Sequence, residues 1–146
     1  MLSLWSQVNQ PVLAVLPFSS PKELQNEALQ IEKLVQSYIT ELNLFRLVAT
    51  ADRDKILSEW EFSVNETLMN ASNTRQLGTL LSADFLLQGT LGTLGSNFVM
   101  TLEVLKTKTG EKVSFSSVEP SVDMLSANLK TLLAKTFMQQ NREIQK

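Results

Sequence analysis

The sequence predicts a single α/β domain of the α+β kind, a mixed sheet of about five strands covered by about four helices, in the order β-α-β-α-α-β-β-β-α. Three observations predict it. An unbroken apolar run stands near the amino end, as in a strand buried on both faces. A stripe of apolar residues at helical spacing follows, as in a helix that covers a sheet. Two later segments alternate apolar and polar residues around short turns, as antiparallel strands with one wetter face do. With 146 residues, 43% of them hydrophobic, the chain can bury one proper core.

The first strand is Pro11–Phe18, PVLAVLPF. Pro17 marks its end, where a missing N–H costs little. Residues 1–10 read as a flexible segment. They hold neither the basic region nor the apolar block of a signal peptide, so no targeting segment is expected within this chain. Ser20-Pro21-Lys22-Glu23 reads as a helix start. Ser20 caps, Pro21 takes the first helical position and Glu23 completes a capping box. Leu24, Ala28, Ile31, Val35, Tyr38 and Leu42 form the inward stripe of that helix, and Asn43 stops it.

Phe45–Thr50 reads as the second strand. Thr50 or Asp52 caps the next helix, DRDKILSEWEFS, whose apolar positions are Ile56, Leu57 and Trp60. A polar interval, 64–73, leads into a short helix with Leu77, Leu80 and Leu81 inward. Ala83–Leu91 is the third strand. Asn97–Lys106 is the fourth, with Phe98, Met100, Leu102 and Val104 on one face and Val99, Thr101, Glu103 and Leu105 on the other. A tight turn at Thr109-Gly110-Glu111 leads to the fifth, Lys112–Val118, with Val113, Phe115 and Ser117 on one face. Pro120 ends it. Ser121 caps the last helix, Asp123 complements its dipole, and Leu125, Leu129, Leu132, Leu133 and Phe137 face inward. The domain therefore spans 11–138. A polar tail, 139–146, is expected to fray after Gln140.

Four of the five glycines lie between Gly78 and Gly95. A phosphate loop needs its glycines to open a helix. Here they open the strand NFVMTLEVL, and no Gly-Lys-Ser/Thr element is present. Gly95-Ser96-Asn97 reads as a hairpin turn. Gly89 and Gly92 read as bulge or close-approach positions within a strand.

Composition excludes several chemistries. Histidine and cysteine are both absent, so no Ser-His-Asp triad, cysteine nucleophile, disulfide or thiolate or imidazole metal site can form. Thirteen basic residues are scattered among fifteen acids, for a net charge of −2, which argues against a nucleic-acid partner. No apolar run approaches the roughly 20 residues of a spanning helix, so no membrane-spanning segment is expected. Asp52, Asp54, Glu59 and Glu61 cluster in sequence, and a hydrolase using a hard metal is the catalytic reading of them. Helix caps on a solvated face are the plainer one, because Glu59 and Glu61 do not share a helix face. No catalytic, cofactor or metal residue is therefore assigned. Trp60 reads as core or edge packing, whereas Trp5 fits either packing or a partner surface. Asn65-Glu66-Thr67 and Asn70-Ala71-Ser72 match the glycosylation triplet, a pattern common by chance.

PVLAVLPF before a long helix, FRLVATADRDKILSEWEF, LGTLLSADFLLQGTL and TKTGEKV occur here in one order. In that order the chain resembles the curli-secretion-channel (CsgG-like) family and its relatives, the TolB amino-terminal domain and the lipoprotein activators of penicillin-binding proteins. The resemblance runs from about Pro11 to Phe137. Its pattern residues, read as structural, are Pro17, Asp52, Arg53, Glu59, Gly78, Ala83, Asp84, Gly89 and Gly110. It implies a non-enzymatic interaction or scaffold domain of the bacterial envelope, in the periplasm or at the outer membrane, without a cofactor. It also implies an envelope protein as partner. The relatives' lipid anchor needs a cysteine that this chain lacks, and no strands are left over for a membrane barrel.

The partner is expected at a helix face or an open sheet edge. If Lys112–Val118 is that edge, a proline at Ser116 should abolish binding. The alternative is a small-molecule or anion site on the strand carboxyl rim, at Ser19, Ser20, Thr50 and Asp52. A homo-oligomer is a further possibility, since a net charge of −2 opposes self-association little.

Overall fold

The computed structural model describes residues 10–60 and 71–145. The elements are β1 (Val12–Val15), a 3₁₀ turn (Lys22–Leu24), α1 (Gln25–Leu42), β2 (Arg46–Leu47), α2 (Thr50–Trp60), α3 (Ala71–Leu81), β3 (Phe85–Leu94), β4 (Asn97–Lys106), β5 (Lys112–Glu119) and α4 (Val122–Gln145). Their order is the one the sequence predicts. Trp5 and both glycosylation triplets lie wholly or partly outside the described residues, as does most of the 64–73 interval. The side chain of Trp60 is outside them too.

The five strands form one mixed sheet, ordered β2-β1-β3-β4-β5. β1 runs parallel to both neighbours, and β3, β4 and β5 form an antiparallel meander. Strand alternation sends Leu13 and Val15 to one face and Ala14 and Leu16 to the other. On the first face they join Phe85, Leu87, Leu91, Met100, Leu102 and Val104, covered by α1 through Ile31, Val35 and Ile39 and by α4 through Leu125, Leu129 and Leu133. On the second face Ala14, Leu16 and Leu86 meet Leu77 and Leu81 of α3, with Ile56 and Leu57 of α2 packed alongside. A buried leucine stabilises by about 1.5–3 kcal/mol, so these two layers carry most of the stability.

The helix ends show where local signals hold and where they fail. Asn43 closes α1 in the left-handed region, φ 55°, with its N–H on the Ile39 carbonyl at 3.2 Å. Ser121 caps α4 by accepting the Met124 N–H at 3.2 Å. The capping box at Ser20 does not form. Pro21 is extended, and the Ser20 hydroxyl donates to its carbonyl at 3.1 Å. A 3₁₀ turn intervenes, and α1 begins only at Gln25. Leu80 does not point inward. Leu77 and Leu81 take the buried face of α3 four residues apart, which turns Leu80 outward, 38% exposed. The second strand shrinks to two residues because α2 already starts at Thr50. α4 is described through Gln145, beyond the expected fraying point at Gln140.

The glycines divide cleanly. A Cβ on Gly89 would overlap the ring of Phe18, which makes it a close-approach position. Gly95 turns the β3–β4 hairpin at φ 62°. Gly92 is neither bulge nor close approach. The β3–β4 register runs unbroken from Phe85↔Lys106 to Leu94↔Asn97, and nothing lies within 4 Å of its Cβ position.

Candidate functional site

The carboxyl end of β1 meets α1 and the first turn of α2, and one arginine organises that end. Arg53 reaches in from the first turn of α2. Its Nη1 donates to Glu32 Oε2 at 2.8 Å and to the Val15 carbonyl at 2.9 Å. Its outer edge meets Asp54, with Nε to Oδ1 at 2.9 Å. Glu32 uses its other oxygen to accept the Phe18 N–H at 3.1 Å. The Arg53 and Glu32 side chains are 6% and 7% exposed. A buried charge is tolerable only when paired and hydrogen-bonded, and here both conditions hold. Arg53 is thus a tie between α1, α2 and β1. Sequence reading misses its partner, although a charged residue four positions after Ala28, on the inward stripe, is the available signal.

The four rim residues do not share one pocket. Ser19 and Ser20 line an open groove of about 420 Å³ beside Glu32. Ser19 also bonds along β3, its N–H to the Gly89 carbonyl and its carbonyl to the Leu91 N–H, both at 2.9 Å. Asp52 lies in a second groove, of about 410 Å³, between α2 and α3, with Glu59 and the outward-turned Leu80. Thr50 instead accepts from Gln36 Nε2 at 3.3 Å. No group of three or more carboxylates is placed to hold a metal ion among the described residues.

Most of the pattern residues have a structural task. Gly78, Ser82 and Ala83 end α3. Ser82 takes φ 53°, and the Ala83 N–H returns to the Gly78 carbonyl at 2.8 Å. A Cβ on Gly78 would overlap Thr107, whose hydroxyl donates to the Ala83 carbonyl at 2.9 Å. Asp84 immediately precedes β3 and pairs with Val12 twice. Its N–H donates to the Val12 carbonyl at 2.8 Å, and its carboxylate accepts the Val12 N–H at 2.9 Å. Gly110 turns the β4–β5 connection at φ 77°. Pro17 lies between Leu16 and Ser19, whose N–H groups bond to β3 on either side of it. Asp52 and Glu59 are exposed.

The other conspicuous surface is the part of the sheet that α2 and α3 leave open. Opposed residues of an antiparallel pair share a face. One face therefore carries Thr90, Gly92 and Leu94 of β3, Val99, Thr101 and Glu103 of β4, and Lys112, Ser114, Ser116 and Val118 of β5. Thr101 and Ser116 hydroxyls share a hydrogen bond at 2.9 Å, and Lys112 Nζ lies 3.5 Å from Glu103 Oε2. β5 is the outermost strand on this side, as an open-edge reading requires.

The family model described as "Peptidoglycan-synthase activator LpoB" matches residues 6–117. The fold is similar to that of the LpoB C-terminal domain from Salmonella enterica, at 16% identity and TM-score 0.58 over 76% of this chain and 83% of that one. It is also similar to lipoprotein GNA1162 from Neisseria meningitidis, at 13% identity and TM-score 0.64 over 85% and 96%. TolB from Acinetobacter baumannii matches at 11% identity and TM-score 0.54, over 88% of this chain but 28% of that one. No curated protein matches the chain.

Proposed function

Because the chain belongs to the peptidoglycan-synthase activator LpoB family, we propose that it is a non-enzymatic adaptor of the bacterial cell envelope that binds and activates a peptidoglycan synthase on the periplasmic side. The observation that supports this is the family match over 6–117, which spans every strand of the sheet up to Ser117 of β5. An activator needs a rigid surface rather than a reacting group, and the polar residues suit that need. Arg53, Glu32, Asp84 and Thr107 spend their hydrogen bonds on the fold itself. The uncovered part of the sheet, ending at β5, remains to be presented to a partner.

The test is polymerisation of lipid II by a purified synthase of the penicillin-binding-protein class from the same organism. Adding the domain should raise the rate several-fold and saturate at one domain per synthase. An unchanged rate, with no complex on sedimentation, would sink the reading. Within it, Ser116→Pro in the middle of β5 should abolish activation while the circular dichroism spectrum stays native. Retained activation would count against contact through that strand.

A further inference from the structure

Strand β5 leaves one row of backbone groups unspent. The Lys106 N–H donates to the Glu111 carbonyl at 2.8 Å, and the β4–β5 register continues from that pair to Phe98↔Glu119. Hydrogen-bonded pairs alternate along an antiparallel ladder. Val113, Phe115, Ser117 and Glu119 therefore spend their N–H and C=O groups on β4, whereas Lys112, Ser114, Ser116 and Val118 turn theirs outward. No described strand pairs with that outer side.

Open edges are normally blunted by shortness, a proline, a bulge or a charge in mid-strand. β2, the opposite edge, is two residues long. β5 is eight residues long, and its register with β4 has no bulge. Between Lys112 and Glu119 it reads VSFSSV, with neither proline nor charge. Apolar side chains flank it on both faces. Val118, 47% exposed, lies on the open face. On the other face, Asn128 Nδ2 donates to Glu119 Oε2 at 2.9 Å, which sets one flank of α4 beside the end of β5. Met124, one turn earlier on that flank, is 46% exposed.

What satisfies such a row is another extended strand. The charges of β5 say which one. Its cationic end, Lys112, and its anionic end, Glu119, come together when β5 meets itself antiparallel, whereas in-register parallel pairing sets like on like. Two registers about a two-fold axis keep most of the strand paired and match outward groups to outward groups. The one centred on Phe115 puts Glu119 opposite Glu111 of the copy, and like charges directly opposed are destabilising. The one centred on Ser116 puts Ser114 opposite Val118 and Val113 opposite Glu119, with no ion facing its like.

We propose that the outer edge of β5 pairs antiparallel with β5 of a second copy of this chain, in the register centred on Ser116, so that one sheet runs through the dimer. The proposal goes beyond the activator reading and does not rest on it, and its test contains no synthase.

The experiment is sedimentation of the purified domain over rising concentration. The wild type should pass from one chain to two. Ser116→Pro removes an N–H that has no partner within the domain, as prolines of edge strands do. Its circular dichroism spectrum should stay native and it should remain one chain. Ser116→Lys, which leaves the backbone untouched, sets two ammonium groups at the axis. It should remain one chain at low salt and regain part of the pairing at high salt. The chain has no cysteine, so Ser116→Cys under mild oxidation should give a disulfide-linked dimer, and Glu23→Cys should not. A wild type that stays one chain at every concentration would overturn the proposal. A dimer that survives Ser116→Pro or Ser116→Lys would overturn it too, because its interface lies elsewhere, and so would equal trapping by the two cysteine variants.

Discussion

Replacing Arg53 by methionine isolates the tie at the end of β1. Methionine keeps much of the aliphatic stem and removes the guanidinium. Three contacts go. The one to Asp54 matters little, because that carboxylate is 57% exposed and water replaces the arginine. The other two leave the Val15 carbonyl without its donor and Glu32 as a carboxylate, 7% exposed, without its cation. Breaking a buried pair from one side costs about 3–5 kcal/mol. For a chain of this size each kcal/mol moves the melting temperature by about 2–4 °C, so Arg53→Met should lower it by about 6–20 °C. The assay is thermal unfolding by circular dichroism, checked by urea denaturation. The double variant Arg53→Met/Glu32→Gln removes the stranded charge and keeps an acceptor for the Phe18 N–H. It should therefore be more stable than Arg53→Met alone, a coupling that a double-mutant cycle reads directly. A loss under about 1 kcal/mol in Arg53→Met, or strict additivity of the two changes, would refute the argument.

Other expectations are simpler. Gly89→Ala drives a methyl into the Phe18 ring and should cost about 1–3 kcal/mol, read as a lower urea midpoint, with part of the loss restored by adding Phe18→Leu. Ser121→Ala removes the cap of α4 and should cost about 1 kcal/mol, with Ser121→Asp close to wild type.

The element order is legible because each element carries its own period. The stripe Ala28-Ile31-Val35 and the alternation of β4 survive into the structure as buried faces. Stop and start signals at Asn43 and Ser121 also hold, since each needs only its own few residues. Ser20 fails because the extended Pro21 turns the chain before the helix begins. What no local signal carries is the order of strands in space. Nothing in PVLAVLPF says that it lies between Arg46–Leu47 and Phe85–Leu94. The rim residues Ser19, Ser20, Thr50 and Asp52 divide for the same reason. They follow two different strands, and the distance between those strand ends is a tertiary fact. The resemblance read from Leu77-Gly78, Ala83-Asp84 and Gly89 reaches a broad group, within which the family model selects the LpoB members. In this chain those residues shape turns and close contacts of the fold, whereas Gly92 and Leu94 meet open space and solvent.

Strand β3 has a double pairing, parallel to β1 and antiparallel to β4. That sets an order of assembly. β3, β4 and β5 are joined by tight turns, so their ladders close over short sequence distances and α4 follows directly onto them. β1 can enter only by spanning the whole stretch from Val12 to Asp84, 72 residues away. Closing so long a loop is entropically costly and slow. The meander should therefore act as the nucleus, and β1 with β2 should dock onto its free side late. In transition-state mapping, Leu102→Ala should slow refolding while Leu13→Ala mainly speeds unfolding. The same hierarchy would let the β1–β2 edge open under native hydrogen exchange while the β3–β5 meander stays assembled. The open face of the β3–β5 sheet would then belong to the earliest-formed and last-lost part of the domain.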